Sequence, residues 1–237
     1  MLGRFLEITV PAPRILESWR FWESLGFAGA PVGETWTHRC AVATDGRVAV
    51  GLHEADVPPC TLTYVRPDLA RHLPALESVG VEFEARVLGD DRFNEASFTA
   101  AGDQPFRLLE ARTWSPPARA QPSPFGWFEE YAIPVRDLAA ARDYWERLGF
   151  VAVEEREYPW PSLALTSDTL DVGLHAGPDL GGPTLVFATD DVAALRERLA
   201  AVGIETDARL PRALDPRLYL RVTSPEGLRL LAGPGTA

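Results

Sequence analysis

Polar and apolar residues alternate from Phe5 to Val10, with Glu7 and Thr9 on one side of an extended chain and Ile8 and Val10 on the other. That period of two predicts a half-buried strand. The spacing then changes. Ile15, Trp19, Trp22 and Leu25 recur every three or four residues, the stripe of an amphipathic helix, and Gly26 suits the left-handed position that closes one. Two or three strands follow, the last ending in Val-Gly-Leu-His at 50–53. The pattern restarts with a strand at Thr61–Val65 and a helix from about Leu69 to Val79, closed by Gly80. Pro74 lacks a helical N–H and is expected to kink or delay that helix.

The whole pattern occurs twice. At a shift of 122–123 positions, Phe5–Phe27 matches Phe128–Phe150, Val50–His53 matches Val172–His175, Cys60–Val87 matches Pro183–Leu210, and Pro105–Ala111 matches Gly227–Gly233. A long internal period fixes architecture before any other reading. The second copy punctuates its last helix more cleanly, with Asp191 as N-cap, Val192, Leu195, Leu199 and Val202 as the stripe, and Gly203 as the stop. Each copy divides into two βαβββ units, so four are expected. One unit alone leaves a sheet face bare, and the units must pair. The expected class is α+β, with paired modules and curved mixed sheets. The expected domains are 1–113 and 127–237, joined by a Pro-rich linker at 114–126.

Composition narrows the field. A net charge of −11 argues against a nucleic-acid backbone or an anionic membrane surface as partner. No run of eighteen apolar residues predicts a membrane span, and the N-terminus has no signal-peptide shape. Cys40 and Cys60 are too few for a secreted disulfide scaffold, so a cytoplasmic protein with reduced thiols is expected. Their counterparts in the repeat are Ser162 and Pro183, which argues against a cysteine nucleophile. Neither a Gly-x-Ser-x-Gly elbow nor a phosphate-binding P-loop is present.

Phe21-Trp22-Glu23-Ser24-Leu25-Gly26-Phe27, Tyr144 through Phe150, Phe187 through Leu195 and Ser224 through Leu230 together resemble the glyoxalase / bleomycin-resistance / extradiol-dioxygenase superfamily, the vicinal oxygen chelate proteins. The resemblance covers nearly everything but the linker. It implies that each half is one family subunit of two modules and that the chain is a fused pseudo-dimer. It also implies a divalent metal on the concave sheet face of the enzymes, held by His, Gln or Glu at four strand positions. Here those positions fall on Glu7 and Glu130, Gly51 and Gly173, Thr61 and Thr184, and Leu109 and Leu231. A hard cation needs several converging donors, so no metal and no other cofactor is expected. Glu110, one residue past Leu109, reaches the same face only through a bulge.

Alternation places His53 on the face of Gly51, and His175 on the face of Gly173. Each half then gathers an acid, an imidazole and hydroxyls: Glu7, His53 and Thr61 in one, Glu130, His175 and Thr184 in the other. These Glu-His pairs are the candidate catalytic groups. Trp36, His38, Tyr158 and Trp160, with Thr61 and Thr184, are the candidate ligand-binding residues at two corresponding mouths. Trp22 and Trp145 lie on helix stripes and read as core, while Trp114 and Trp127 flank the linker. Arg39 and Arg156 read as surface charge.

The leading expectation is a metal-independent small-molecule binder of the bleomycin-resistance type, sequestering an aromatic or cationic natural product and conferring resistance to it. One alternative is a metal-independent isomerase, cyclase or lyase that uses the Glu-His pairs. Others are a metal site with an unorthodox ligand set that includes Glu7 or Glu130, a metal-dependent glyoxalase or dioxygenase, and a duplicate in which one half is degenerate. Oligomeric state stays open between a monomeric pseudo-dimer and a homodimer.

Overall fold

The computed structural model describes residues 1–31, 36–89, 93–110, 123–177 and 180–235. The first half runs β1 (Arg4–Pro11), α1 (Ile15–Ser24), β2 (Ala28–Ala30), β3 (Cys40–Thr44), β4 (Ala49–His53), then β5 (Thr61–Val65), α2 (Leu69–Ser78), β6 (Phe83–Val87), β7 (Glu95–Ala100) and β8 (Gln104–Leu109). The second half runs β9 (Trp127–Pro134), α3 (Leu138–Arg147), β10 (Val151–Arg156), β11 (Ser162–Thr166), β12 (Asp171–His175), then β13 (Thr184–Ala188), α4 (Val192–Ala201), β14 (Leu220–Thr223) and β15 (Arg229–Gly233). The class is α+β, built of paired modules in two mixed sheets.

The sheet orders are β2-β3-β4-β1-β5-β8-β7-β6 and β10-β11-β12-β9-β13-β15-β14. In each half the opening strand joins the two modules. β1 runs parallel to β4 and antiparallel to β5, and β9 does the same between β12 and β13. This pairing puts Thr9 beside both Gly51 and Thr61, and Glu7 beside Thr63. The opposite face carries Ile8, Val10, Val50, Leu52, Leu62 and Leu108, which join the helices in one core.

Two sequence expectations need correction. The fourth module is not a βαβββ unit. Residues 205–219 form no strand, leaving that sheet with seven strands. The counterpart of β6 is 206–210, and Pro211, which cannot donate to a ladder, follows it directly. The segment instead packs Leu210 and Leu214 against the second sheet. At its start, Asp207 attaches to β14: its backbone N–H donates to the Arg221 carbonyl at 2.7 Å, and its carboxylate accepts from Arg221 Nε at 2.6 Å and from Thr223 Oγ1. Pro74, expected to disturb α2, lies inside a helix that continues to Ser78, held by buried Leu69, Leu73 and Leu76.

The halves share a single core. Trp145 is fully buried, its ring 5.6 Å from Phe106 of the first half, and its Nε1 donates to the Ala101 carbonyl at 3.2 Å. Trp22, also fully buried, packs on Phe27, which meets Phe187 of the second half at 6.3 Å. Gly26 has φ +83° and sits so close to Pro124 that an added Cβ would lie 2.0 Å from its Cδ. Trp127 lies under the Arg47 guanidinium at 4.4 Å, and Trp114 is outside the described residues. Among the described residues no helix is long and apolar enough to cross a membrane.

Candidate functional site

Strand alternation brings both acid–imidazole pairs together. His53 Nε2 lies 2.6 Å from Glu7 Oε1, and His175 Nε2 lies 2.6 Å from Glu130 Oε1. Glycine makes this possible in both halves. A Cβ on Gly51 would stand 2.2 Å from the Glu7 carboxyl carbon, and one on Gly173 would stand 2.4 Å from Glu130 Oε1. The carboxylate occupies the volume that a side chain on the neighbouring strand would need.

Around that common pair the halves differ. In the first, Thr9 Oγ1 donates to Glu7 Oε1 at 3.0 Å, and the hydroxyls of Thr9 and Thr63 lie 2.7 Å apart. Thr9 has spent its one proton on the carboxylate, so Thr63 donates to Thr9. His53 Nδ1 meets His38 Nε2 at 2.8 Å. The Trp36 ring packs edge-on to His53 at 4.4 Å and tilted to His38 at 5.5 Å. Burial first, then the neighbouring His53 and Arg107, push the His38 pKa down, opposed by Glu7. Next to these groups lies a cavity of about 180 Å³, lined by Thr9, Asp56, Thr61, Glu84, Glu95 and Arg107 among others. Arg107 pairs with Glu95 at 2.6 Å and covers the Trp36 ring at 5.1 Å. The Thr61 hydroxyl donates to the Pro58 carbonyl at 2.7 Å.

In the second half the equivalent face is filled. Ala132 and Val186 stand where Thr9 and Thr63 stand in the first. Trp160, Leu180, Leu214 and Leu231 close over Ala132 as a separate apolar cluster, with Val186, Leu210 and Tyr219 packed against it. Trp160 was expected as a stacking surface at a mouth. It is instead 8% exposed, and its Nε1 donates to His175 Nδ1 at 2.8 Å. Tyr158 is 72% exposed, away from this contact, and the Thr184 hydroxyl donates to the Gly182 carbonyl at 3.0 Å. Arg156, expected as surface charge, reaches Glu130 Oε2 at 3.3 Å, whereas Arg39 is exposed and 3.9 Å from Glu54.

Burial opposes the charge on Glu130, but His175 and Arg156 outweigh it and hold the pKa below the usual carboxylate value. A depressed pKa contributes stability above the unfolded value, and that stability is lost as pH falls through the folded one. Glu130→Gln is therefore expected to flatten the acid limb of the stability curve below about pH 4.5. Urea titrations across that range check it, and an unchanged slope would reject it.

The thiols are poor nucleophiles. Burial pushes Cys40 and Cys60 each up to about 11. Sequence reasoning missed Arg107, Glu95 and Asp56 as cavity residues. Arg107 was within reach, since it lies two residues before Leu109 and so on the same face.

The donors do not fit the family's divalent metal. Glycine and leucine at 51 and 109 offer no side-chain donor, and a longer residue at 51 would collide with Glu7. The Thr61 hydroxyl is spent on a carbonyl. Glu7, His53 and His38 are joined in a line rather than converging on a point. Glu110 is turned to Asn94. Among the described residues no group of three or more His, Cys, Asp or Glu is arranged to hold a metal.

Residues 127–231 match the model of the Glyoxalase/Bleomycin resistance protein/Dioxygenase superfamily. No curated protein matches the sequence. Among solved structures, a variant of homoprotocatechuate 2,3-dioxygenase from Brevibacterium fuscum in complex with HPCA is similar at a TM-score of 0.64 and 15% identity, covering 100% of this chain and 72% of that one. BphC, a halotolerant catechol dioxygenase, is similar at a TM-score of 0.59 and 16% identity, covering 99% and 87%. At such identities the likeness is one of fold.

Proposed function

We propose the function of this chain from the point where its two halves differ: residues 127–231 match the Glyoxalase/Bleomycin resistance protein/Dioxygenase superfamily, and the fold throughout is similar to that of the dioxygenases above. The first half is a metal-independent small-molecule site, and the second is a structural duplicate that completes the fold. One observation carries this reading: a cavity opens beside Thr9, the hydroxyl partner of Glu7, in the first half, while leucines and Trp160 fill the same face in the second.

The cavity wall indicates the ligand. Among the described lining residues, Asp56, Glu84 and Glu95 stand against a single cation, Arg107, which is already paired with Glu95. A cationic group on the ligand answers that imbalance. The Trp36 ring beside it offers a flat surface for an aromatic portion. This is the chemistry of sequestration, as in bleomycin-resistance proteins. The ring-cleaving activity named for the structural relatives is not carried over, since the donor set described above does not suit a metal.

Titration with a panel of planar cationic natural products, read by tryptophan fluorescence, tests the reading. Quenching is expected to vanish in Trp36→Phe, to persist in Trp160→Phe, and to survive dialysis against a chelator. Quenching that follows Trp160 instead, or that needs added metal, would overturn it.

A further inference from the structure

The second half shows what a buried Glu-His pair requires to be structurally complete. Glu130 Oε1 accepts from His175 Nε2, and the Trp160 indole N–H donates to His175 Nδ1. An indole nitrogen only donates. His175 is thereby fixed as the neutral tautomer with its proton on Nε2, and the chain of hydrogen bonds stops at the indole. In the first half, position 38 replaces position 160 at the same 2.8 Å contact, and there the capping residue is histidine. Imidazole has a second nitrogen, so this chain continues outward. His38 is half-buried, whereas His53 and Glu7 are fully buried.

We propose that Glu7, His53 and His38 form a proton relay in which His38 Nδ1 is the general base toward a molecule held in the first-half cavity. The proposal rests on the reading of that cavity as a ligand site and adds a reaction to it. In the resting arrangement, His53 Nε2–H donates to the Glu7 carboxylate and His38 Nε2–H donates to His53 Nδ1. His38 Nδ1 is left with its lone pair. A carbon or nitrogen acid in the cavity gives its proton to that lone pair. The His38 Nε2 proton moves to His53 Nδ1, and the His53 Nε2 proton moves to Glu7 Oε1. Both imidazoles end neutral, Glu7 ends as the neutral acid, and the molecule carries the negative charge. No imidazolium has to persist in the interior, where an isolated charge is costly. Returning the proton at a different atom completes an isomerisation, and loss of a leaving group completes an elimination. His38 is the catalytic residue. His53 and Glu7 act through it as positioning and proton-storing residues.

The relay meets the cavity through two of the lining residues and not through an imidazole. Thr9 lines the cavity and donates to Glu7. Arg107 lines it as well and covers the Trp36 ring, which packs on both imidazoles. The groups that face His38 are His53, Arg107 and Glu7. Burial and the Arg107 guanidinium push its pKa down, which favours the free lone pair.

Nitrobenzisoxazole, a planar carbon acid, tests this. Removal of its ring C–H proton breaks the N–O bond and gives a nitrile and a coloured phenolate, with no co-reactant. The chain contains no lysine, so side-chain amines add no background. Site occupancy is measured separately with nitroindazole, an isostere that cannot open. The wild type is expected to bind both and to turn over the first. His38→Gln is expected to lower turnover about 100-fold, the usual scale of general-base catalysis, with nitroindazole affinity retained. His38→Trp copies the cap of the second half and is expected to fold and to be equally inactive. Glu7→Gln keeps an acceptor for His53 but cannot store its proton, so turnover falls while affinity and folding hold. Wild-type turnover is expected to rise with pH through a value below the ordinary histidine range and then level off. Failure of nitroindazole to bind sinks the cavity reading. Binding without turnover, or turnover that survives His38→Gln, sinks the relay alone.

Discussion

Trp145→Ala is expected to destabilise both halves together, by about 3–5 kcal/mol. The ring is fully buried and lies between α3, on which it stands, and Phe106 of the first sheet. Its removal takes away apolar contacts and leaves a void that close-packed neighbours fill only in part. It also leaves the Ala101 carbonyl without the indole N–H that reaches it across the junction. Because one core spans the halves, urea unfolding should remain a single transition, moved to lower denaturant with an unchanged slope. Two separate transitions, with the first half unaffected, would show that the shared core does not couple them.

His53→Leu is expected to cost a similar amount, about 3–5 kcal/mol, because it strands the Glu7 carboxylate in the interior. Both side chains are almost fully enclosed, at 0% and 1% exposure for His53 and Glu7. With the imidazole gone, Thr9 is the remaining donor to Glu7 Oε1 among the described residues. The double variant Glu7→Leu/His53→Leu removes the charge along with its partner and is expected to recover most of the loss, since buried ion pairs replaced by apolar residues of similar size often fold as well. Denaturation of the two single variants and the double variant closes the cycle. A coupling near zero would mean that the two groups do not depend on each other for stability.

Much of this was legible before any coordinates. The repeat followed from duplicated strings, and alternation within them placed Glu7 with His53, and Glu130 with His175, on one face each. Core tryptophans 22 and 145 followed from helix spacing. What escaped was whatever depends on a residue's third neighbour. The shift of 122 set Trp160 opposite His38, but nothing in a linear string says that both would meet the inner nitrogen of a histidine. The lost strand escaped because residues 206–210 still match β6 of the first copy, although Pro211 and Pro216 were there to be weighed. Thr61 and Thr184 share the expected faces, yet their hydroxyls are taken by nearby carbonyls. Facing a hollow and being available to it are separate properties.

The loss of that strand has a consequence at the rim of the second sheet. It leaves β14 as the terminal strand, and a terminal strand with unclaimed amides and carbonyls is a template on which further chains can stack. Asp207 claims the Arg221 carbonyl through its own N–H and clasps the Arg221 and Thr223 side chains with its carboxylate. A single residue thus blunts the rim against chain-to-chain growth, while the leucines that follow it seal the hollow behind.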